Sequence, residues 1–185
     1  MSKVLFINAC VREGSRTLSL AQHVLEKLGK DVDEVRLDEV ELYPLDAKRL
    51  AVRNDACLRK DFSSPMFDLA KQFSKAETIV VAAPYWDLMF PAILKSYLET
   101  IIVNDLTFTY DETGRPKSLC NGKQLIYVTT AGGPIHFNFG YDYVETIAKA
   151  FFGIEDVQCI KAECLDIHNA NPNEILNQAK HSLAL

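Results

Sequence analysis

Three short apolar runs, each followed directly by a loop, constrain the fold of this 185-residue chain more than any other feature. The runs are residues 4–7, 78–83 and 125–129, and the loops are residues 8–17, 84–88 and 130–133. An unbroken apolar run that stops at a turn is typical of a parallel strand buried on both faces. Because ligands of open parallel sheets bind outside the carboxyl ends of the strands, we expect these loops to form the functional site.

Helical patterns alternate with the apolar runs. Apolar residues recur at helical spacing from Leu18 to Leu28, and Gly29 is placed to end that helix in a left-handed conformation. Further helices are predicted over residues 65–73, from Pro91, over residues 141–152 and after Asn171, with strands over residues 34–38 and 157–162. Residues 43–61 are less periodic. Alternating strands and helices in a chain of this length predict a single α/β domain over residues 1–185 with a doubly wound parallel sheet.

The net charge of the chain and the short length of its apolar stretches argue against nucleic-acid and membrane partners. Lys and Arg number 20 against 25 Asp and Glu, a net charge of −5, so a nucleic-acid partner is not expected. The apolar stretches fall far short of the roughly 20 residues that cross a bilayer, and the N-terminus does not resemble a signal peptide. We therefore expect a soluble, cytoplasmic protein without membrane insertion.

The cysteines indicate reduced thiols rather than a metal site. They are odd in number and scattered, with no Cys-x-x-Cys pair. A closed metal site needs several ligands converging from short loops, so no metal is expected. The five are Cys10, Cys57, Cys120, Cys159 and Cys164.

The first loop ends in residues suited to bind phosphate. Ser15, Arg16 and Thr17 come just before the first helical stripe, where backbone amides lack intrahelical acceptors and anions bind readily. Two hydroxyls and a guanidinium could add charge-assisted hydrogen bonds. The alternative is that Ser15 or Thr17 only caps the helix.

The same loop also matches a phosphatase signature. Cys10, five intervening residues, Arg16 and Thr17 spell the Cys-x5-Arg-[Ser/Thr] pattern of low-molecular-weight tyrosine phosphatases, in which the cysteine attacks phosphorus. Those enzymes protonate the leaving group with an aspartate of an Asp-Pro pair, and this chain contains no Asp-Pro dipeptide. The loop also has a single glycine, Gly14.

The second and third loops are suited to hold a flat ring. Large apolar side chains at the end of a strand usually wall a pocket, and a buried Trp86 would offer a flat face and an N–H group. The glycine pair allows backbone amides to approach a ligand closely. Plain packing and a simple turn are the alternatives. The loops read Pro84, Tyr85, Trp86, Asp87, Leu88 and Thr130, Ala131, Gly132, Gly133.

Together these motifs resemble the flavodoxin-like FMN-dependent NAD(P)H quinone dehydrogenases and azoreductases. The resemblance covers nearly the whole chain in order, and its most specific part is the Ala-Pro-aromatic-aromatic loop followed by the glycine pair. It rests on the first strand with residues 15–17, on residues 83–88 with Pro91, Lys95 and Tyr97, on residues 107–110 and 130–133, and on residues 140–164. It implies a three-layer sandwich with a five-stranded parallel sheet in the order 2-1-3-4-5.

The resemblance also implies the cofactor and the reaction. FMN would place its phosphate on residues 15–17 and its ring between residues 85–88 and 130–133, with contacts from Cys10 and Pro84 as well. An amide near Asp87 would meet N5, and the glycine amides with His136 would meet N1 and O2. Hydride would pass in ping-pong fashion from NADH or NADPH to a quinone, azo or nitroaromatic compound. Asp87 stands where the family often has asparagine, and Pro134 separates the glycine pair from His136.

A homodimer is expected from the segment of residues 107–122. Phe108 and Tyr110 alternate with threonines as in an exposed strand, and an isolated hairpin is marginally stable unless something covers it. In the family this region reaches the neighbouring subunit's flavin, so Tyr110 would line the acceptor pocket. The alternative is that both rings fold back onto their own subunit.

A non-enzymatic, flavodoxin-type electron carrier is the third functional possibility. Such carriers are usually more acidic, and their phosphate loop is rich in threonine and serine. This chain has neither property, so the enzyme is the favoured interpretation.

Overall fold

The computed structural model describes residues 3–181 as seven strands and six helices. The strands are β1 (Val4–Asn8), β2 (Val32–Arg36), β3 (Thr78–Ala82), β4 (Phe108–Tyr110), β5 (Pro116–Ser118), β6 (Gln124–Thr130) and β7 (Asp156–Ala162). The helices are α1 (Arg16–Leu28), α2 (Ala47–Arg59), α3 (Asp68–Lys75), α4 (Ala92–Ile101), α5 (Phe139–Phe152) and α6 (Pro172–His181), with a short 3-10 turn at Pro65–Phe67.

Five strands form one parallel sheet in the order β2-β1-β3-β6-β7. Because β4 and β5 pair only with each other, these strands are the first, second, third, fourth and fifth of the sheet, and the predicted order 2-1-3-4-5 is confirmed. Every residue of β1 and β3 is buried, as the unbroken apolar runs predicted. These two strands therefore occupy the middle of the sheet, and their carboxyl ends lie side by side.

Helices cover both faces of the sheet. Alternate residues of a strand point to opposite faces, so Val4 and Phe6 pack with α1 and α6, whereas Leu5 and Ile7 face α2 to α5. The predicted helix ends are also present: Gly29 and Gly153 both adopt the left-handed conformation, with φ of 59° and 65°. The chain thus forms the predicted three-layer flavodoxin-like sandwich.

Helix α2 lies in the stretch for which the sequence indicated no regular element. Its N-cap is Asp46, whose carboxylate accepts a hydrogen bond from the Arg49 amide at 2.7 Å. Ala56 is the only buried residue of the helix. The large apolar residues of α2, Leu50, Val52 and Leu58, are exposed, so they do not mark the packed face, and the N-cap was the clearest available signal.

The β4–β5 hairpin corrects the prediction that residues 107–110 are exposed. Thr107 is buried, and Phe108 is only 5% exposed because its ring packs against Phe151 of α5 at a centroid distance of 4.9 Å. Tyr110 is 55% exposed. Alternation with threonine did predict a strand, but it could not show that α5 covers half of it.

The cysteines of the structure are free thiols, as expected. Within residues 3–181, no group of three or more His, Cys, Asp or Glu side chains is placed to hold a metal ion. None of the helices in this range is both long and apolar enough to cross a membrane.

Candidate functional site

A cleft of about 600 Å³ opens beside the N-terminus of α1, where β1, β3 and β6 end. All three predicted loops contribute to its wall. The predicted residues that line it are Ser15, Arg16, Thr17, Pro84, Tyr85, Trp86, Thr130 and Gly132. Four further lining residues were not predicted as contacts: Arg12, Gly14, Asp166 and Pro172.

Hydrogen bonds join the three loops to one another. The Tyr85 amide donates to the carbonyl oxygen of Thr130 at 3.1 Å. The Thr17 and Thr130 hydroxyl oxygens are 2.6 Å apart, and both residues are buried. The cleft wall is therefore a connected structure rather than three independent loops.

The N-terminus of α1 keeps unpaired donors while being capped. Ser15 is the N-cap, and its hydroxyl oxygen accepts from the Leu18 amide at 3.3 Å. The Ser19 amide donates to the Ser15 carbonyl at 3.1 Å. In the described part of the chain, the amides of Arg16 and Thr17 have no hydrogen-bond partner. Capping and anion binding thus coexist here, since different groups serve them.

The side chain of Arg16 is engaged by a carboxylate. Its two terminal nitrogens lie 2.8 and 2.9 Å from the two carboxylate oxygens of Asp166. The hydrogen bonds from Arg16 hold the pKa of Asp166 below its usual value. Asp166 follows β7 at the same edge of the sheet, so the rule that ligands bind at carboxyl ends of strands could have drawn attention to it.

The loop after β3 forms a tight turn at the mouth of the cleft. The amides of Trp86 and Met89 donate to each other's carbonyl oxygens at 3.0 and 2.8 Å. Between them, Asp87 and Leu88 have φ of 50° and 68°, a left-handed conformation that is unusual for residues other than glycine. No acceptor within residues 3–181 pairs with the Asp87 or Leu88 amide. Trp86 is 44% exposed, so its indole lies at the surface of the cleft rather than buried as predicted.

The glycine loop after β6 is fixed by the loop after β7. The amide of Cys164 donates to the Gly133 carbonyl at 3.1 Å, and the Asp166 amide donates to the Gly132 carbonyl at 2.9 Å. These bonds use the glycine carbonyls but leave both glycine amides unpaired in the described structure. A pair of free backbone donors is suited to stabilise negative charge.

Several predicted contacts lie outside the cleft wall. Leu88 and Asp87 are exposed in the turn at its mouth, Ala131 is buried behind it, and Gly133 lies next to the lining glycine. His136 is exposed. The amide of the neighbouring Ile135 donates to the Glu163 carboxylate at 2.8 Å, and this hydrogen bond is the main cause that lowers the pKa of Glu163. The exposed Tyr110 belongs to the hairpin and does not line this cleft.

Cys10 lies in the buried first part of the first loop. It is 5% exposed, and its sulfur lies 3.7 Å from the carbonyl oxygen of Ala82. Burial raises the pKa of its thiol to about 11, so almost none of it is thiolate at neutral pH. A phosphatase nucleophile needs the opposite, a thiolate that is stabilised and accessible.

Sequence comparison with known proteins finds a family model and relatives that match nearly the whole chain. A family model described as a flavodoxin-like fold matches residues 2–184. The chain is 35% identical over 179 residues to an FMN-dependent NADH:quinone oxidoreductase of Coprothermobacter proteolyticus, covering 90% of this chain and 89% of that protein. It is 34% identical over 198 aligned positions to the protein of the same name from Lachnoclostridium phytofermentans, covering 100% and 98% of the two chains.

Solved structures share the fold. An FMN-dependent NADH-azoreductase from Bacillus anthracis, determined in complex with FMN, superimposes with a TM-score of 0.81 at 23% identity, covering 98% of this chain and 95% of that one. A second azoreductase structure from Bacillus anthracis gives a TM-score of 0.83 at 23% identity, with 98% and 96% coverage.

Proposed function

The chain belongs to the flavodoxin-like family, and we propose that it is an FMN-dependent NADH:quinone oxidoreductase with azoreductase activity. The observation that carries this proposal is the convergence of all three predicted loops on one cleft of about 600 Å³. Relatives that match nearly the whole chain are named FMN-dependent NADH:quinone oxidoreductases.

The residues present fit the phosphate of FMN. The unpaired amides of Arg16 and Thr17 lie at the positive end of the α1 dipole, which favours a negative charge. The guanidinium of Arg16 adds a cation to the same wall of the cleft. We assign the phosphate to these groups and to the Ser15 and Thr17 hydroxyls; the Ser15 oxygen accepts from the Leu18 amide, and its proton can still be donated to the phosphate.

The other two loops fit the ring of FMN. Tyr85 and Trp86 supply flat side chains on one wall, and the free amides of Gly132 and Gly133 supply donors for an anionic ring edge. The free amides of the Asp87 turn supply donors at the mouth. FMN, when bound, supplies a ring that accepts two electrons as hydride and gives them up again. The protein's part is to hold the ring, exclude water from it and stabilise its charge.

We propose that NADH and the acceptor use the open side of the cleft in turn. The acceptors would be quinones, azo compounds and nitroaromatics, all of which offer a flat conjugated system to the aromatic wall. Double-reciprocal plots of NADH oxidation with a soluble quinone are therefore expected to be parallel. Intersecting lines would show instead that donor and acceptor bind together. A flavodoxin-type carrier would bind FMN but would not sustain turnover.

We propose that the enzyme works as a homodimer with Tyr110 in the acceptor pocket. Phe108 packs on its own subunit, but Tyr110 remains 55% exposed and Leu119, in the same hairpin region, 44% exposed. A second subunit would cover this surface, and the amphipathic tyrosine ring suits a semi-open interface.

Light scattering at micromolar concentration is expected to give twice the 20.8 kDa mass of the chain. Tyr110→Ala should raise the KM for quinone more than that for NADH if the side chain lines the acceptor pocket. A 20.8 kDa particle with full turnover would contradict the shared site.

Cys10→Ser is expected to leave NADH oxidation and FMN content unchanged, because the Cys10 thiol is buried and protonated. The assay should include hydrolysis of an aryl phosphate by both proteins. Phosphatase activity that disappears in Cys10→Ser would support the hydrolase instead. Loss of NADH oxidation with FMN still bound would give Cys10 a role in the reductase.

We also place the enzyme in the cytoplasm. All five cysteines are free thiols in the structure, a state that a reducing compartment maintains.

A further inference from the structure

A carboxylate lies among the groups that fit the FMN phosphate. Asp166 lines the same cleft as Arg16, and its two oxygens take both terminal nitrogens of that side chain. A Cβ added at Gly132 would lie only 2.5 Å from one of these oxygens. The carboxylate therefore rests directly over the glycine loop, between it and the start of α1.

The Arg16 side chain needs a neighbouring anion because of its position in α1. Arg16 is the first residue of α1, where the helix dipole disfavours a cation unless a negative group is close by. Asp166 supplies that charge within the protein. An FMN phosphate would supply it more strongly, since it carries a charge of about −1.5 to −2 at neutral pH. The two terminal nitrogens of the Arg16 guanidinium can donate as a bidentate pair to only one of these anions at a time.

Within residues 3–181, Arg16 is the only side chain that donates hydrogen bonds to the Asp166 carboxylate. The Asp166 side chain is 63% exposed, whereas its backbone amide is held by the Gly132 carbonyl at 2.9 Å. Rotation about the side-chain bonds would move the carboxylate into solvent without moving the loop. Arg12 lines the same cleft and can offset the carboxylate's charge in the rotated position.

From this geometry we propose that Asp166 is an internal competitor of the FMN phosphate. Its carboxylate pairs with Arg16 when the phosphate is absent and yields that side chain when FMN binds. Asp166 therefore lowers the affinity for the phosphorylated flavin and leaves the affinity for riboflavin unchanged. This inference rests on the proposed function, because it concerns the cofactor assigned to the same cleft.

The test compares Asp166→Asn with the wild-type protein by flavin fluorescence titration. Removing one negative charge beside a phosphate is expected to tighten FMN binding about three- to thirtyfold at low salt, and salt should reduce the difference. The dissociation constant of riboflavin, which has no phosphate, should not change. Asp68→Asn is the matched control: it removes the same charge from an ion pair with Lys71 that is not part of the cleft.

The results separate this inference from the proposed function. If the wild-type protein binds FMN and Asp166→Asn binds it equally or more weakly, Asp166 does not compete and the inference is wrong. If riboflavin affinity rises as much as FMN affinity, the effect does not act through the phosphate, and the inference is again wrong. If neither protein binds FMN, the assigned cofactor itself is wrong.

Discussion

Replacing Arg16 and Thr17 together by alanine is expected to weaken FMN binding about 100-fold. The double variant removes a guanidinium and a hydroxyl from the wall assigned to the phosphate. Hydrogen bonds to a charged group contribute about 1.5–3 kcal/mol each, so two of them at the lower value correspond to about 3 kcal/mol, or roughly two orders of magnitude in Kd. Equilibrium dialysis or fluorescence titration measures this directly.

Two controls separate loss of phosphate contacts from damage to the fold. Thr17 is buried and its hydroxyl is 2.6 Å from that of Thr130, so Thr17→Ser, which keeps the hydroxyl, should retain FMN. Arg59→Ala with Thr146→Ala removes the same two kinds of side chain from exposed positions on α2 and α5. An unchanged FMN dissociation constant in the Arg16 and Thr17 double variant would show that the phosphate binds elsewhere.

The loops of the site could be predicted because each directly follows a buried strand. An apolar run that ends at a turn fixes where a strand ends, and parallel strands bring those ends to one edge of the sheet. The convergence of residues 15–17, residues 84–86, Thr130 and Gly132 on one cleft follows from that local information. The same rule places Asp166 at this edge, but it does not predict that Asp166 pairs with Arg16, because that contact joins residues 150 positions apart in the chain.

Burial at the edges of the fold was less predictable than burial in its centre. Helix α2 has one buried residue, Ala56, and its leucines and its valine are exposed, so its apolar residues do not identify the face that packs on the core. Phe108 lies in a short hairpin whose alternation indicates an exposed strand, yet the ring of Phe151 covers it. Whether α2 or Phe108 is covered depends on elements that are far away in the sequence, so local patterns do not predict it.

In helix α4, by contrast, the sequence predicted the helix and the structure buries most of its apolar residues. A helix was predicted from Pro91, and its residue Leu94 is fully buried in the hydrophobic core on the face of the sheet that α2 to α5 cover. Leu94→Ala is expected to lower the free energy of unfolding by about 2–5 kcal/mol, since deletion of buried methylenes loses transfer energy and leaves a cavity. Urea unfolding at a fixed FMN concentration, which keeps the stabilisation by ligand comparable, would measure the loss.

Leu58→Ala in α2 makes the same chemical change at the surface. Leu58 is 85% exposed, so its truncation removes little buried area and should change the free energy of unfolding by no more than about 0.5 kcal/mol. Because both substitutions replace leucine by alanine in a helix, intrinsic helix propensity is matched and the difference between them reports burial alone. Equal losses in the two variants would mean that α2 is covered in solution by a surface the single chain does not provide.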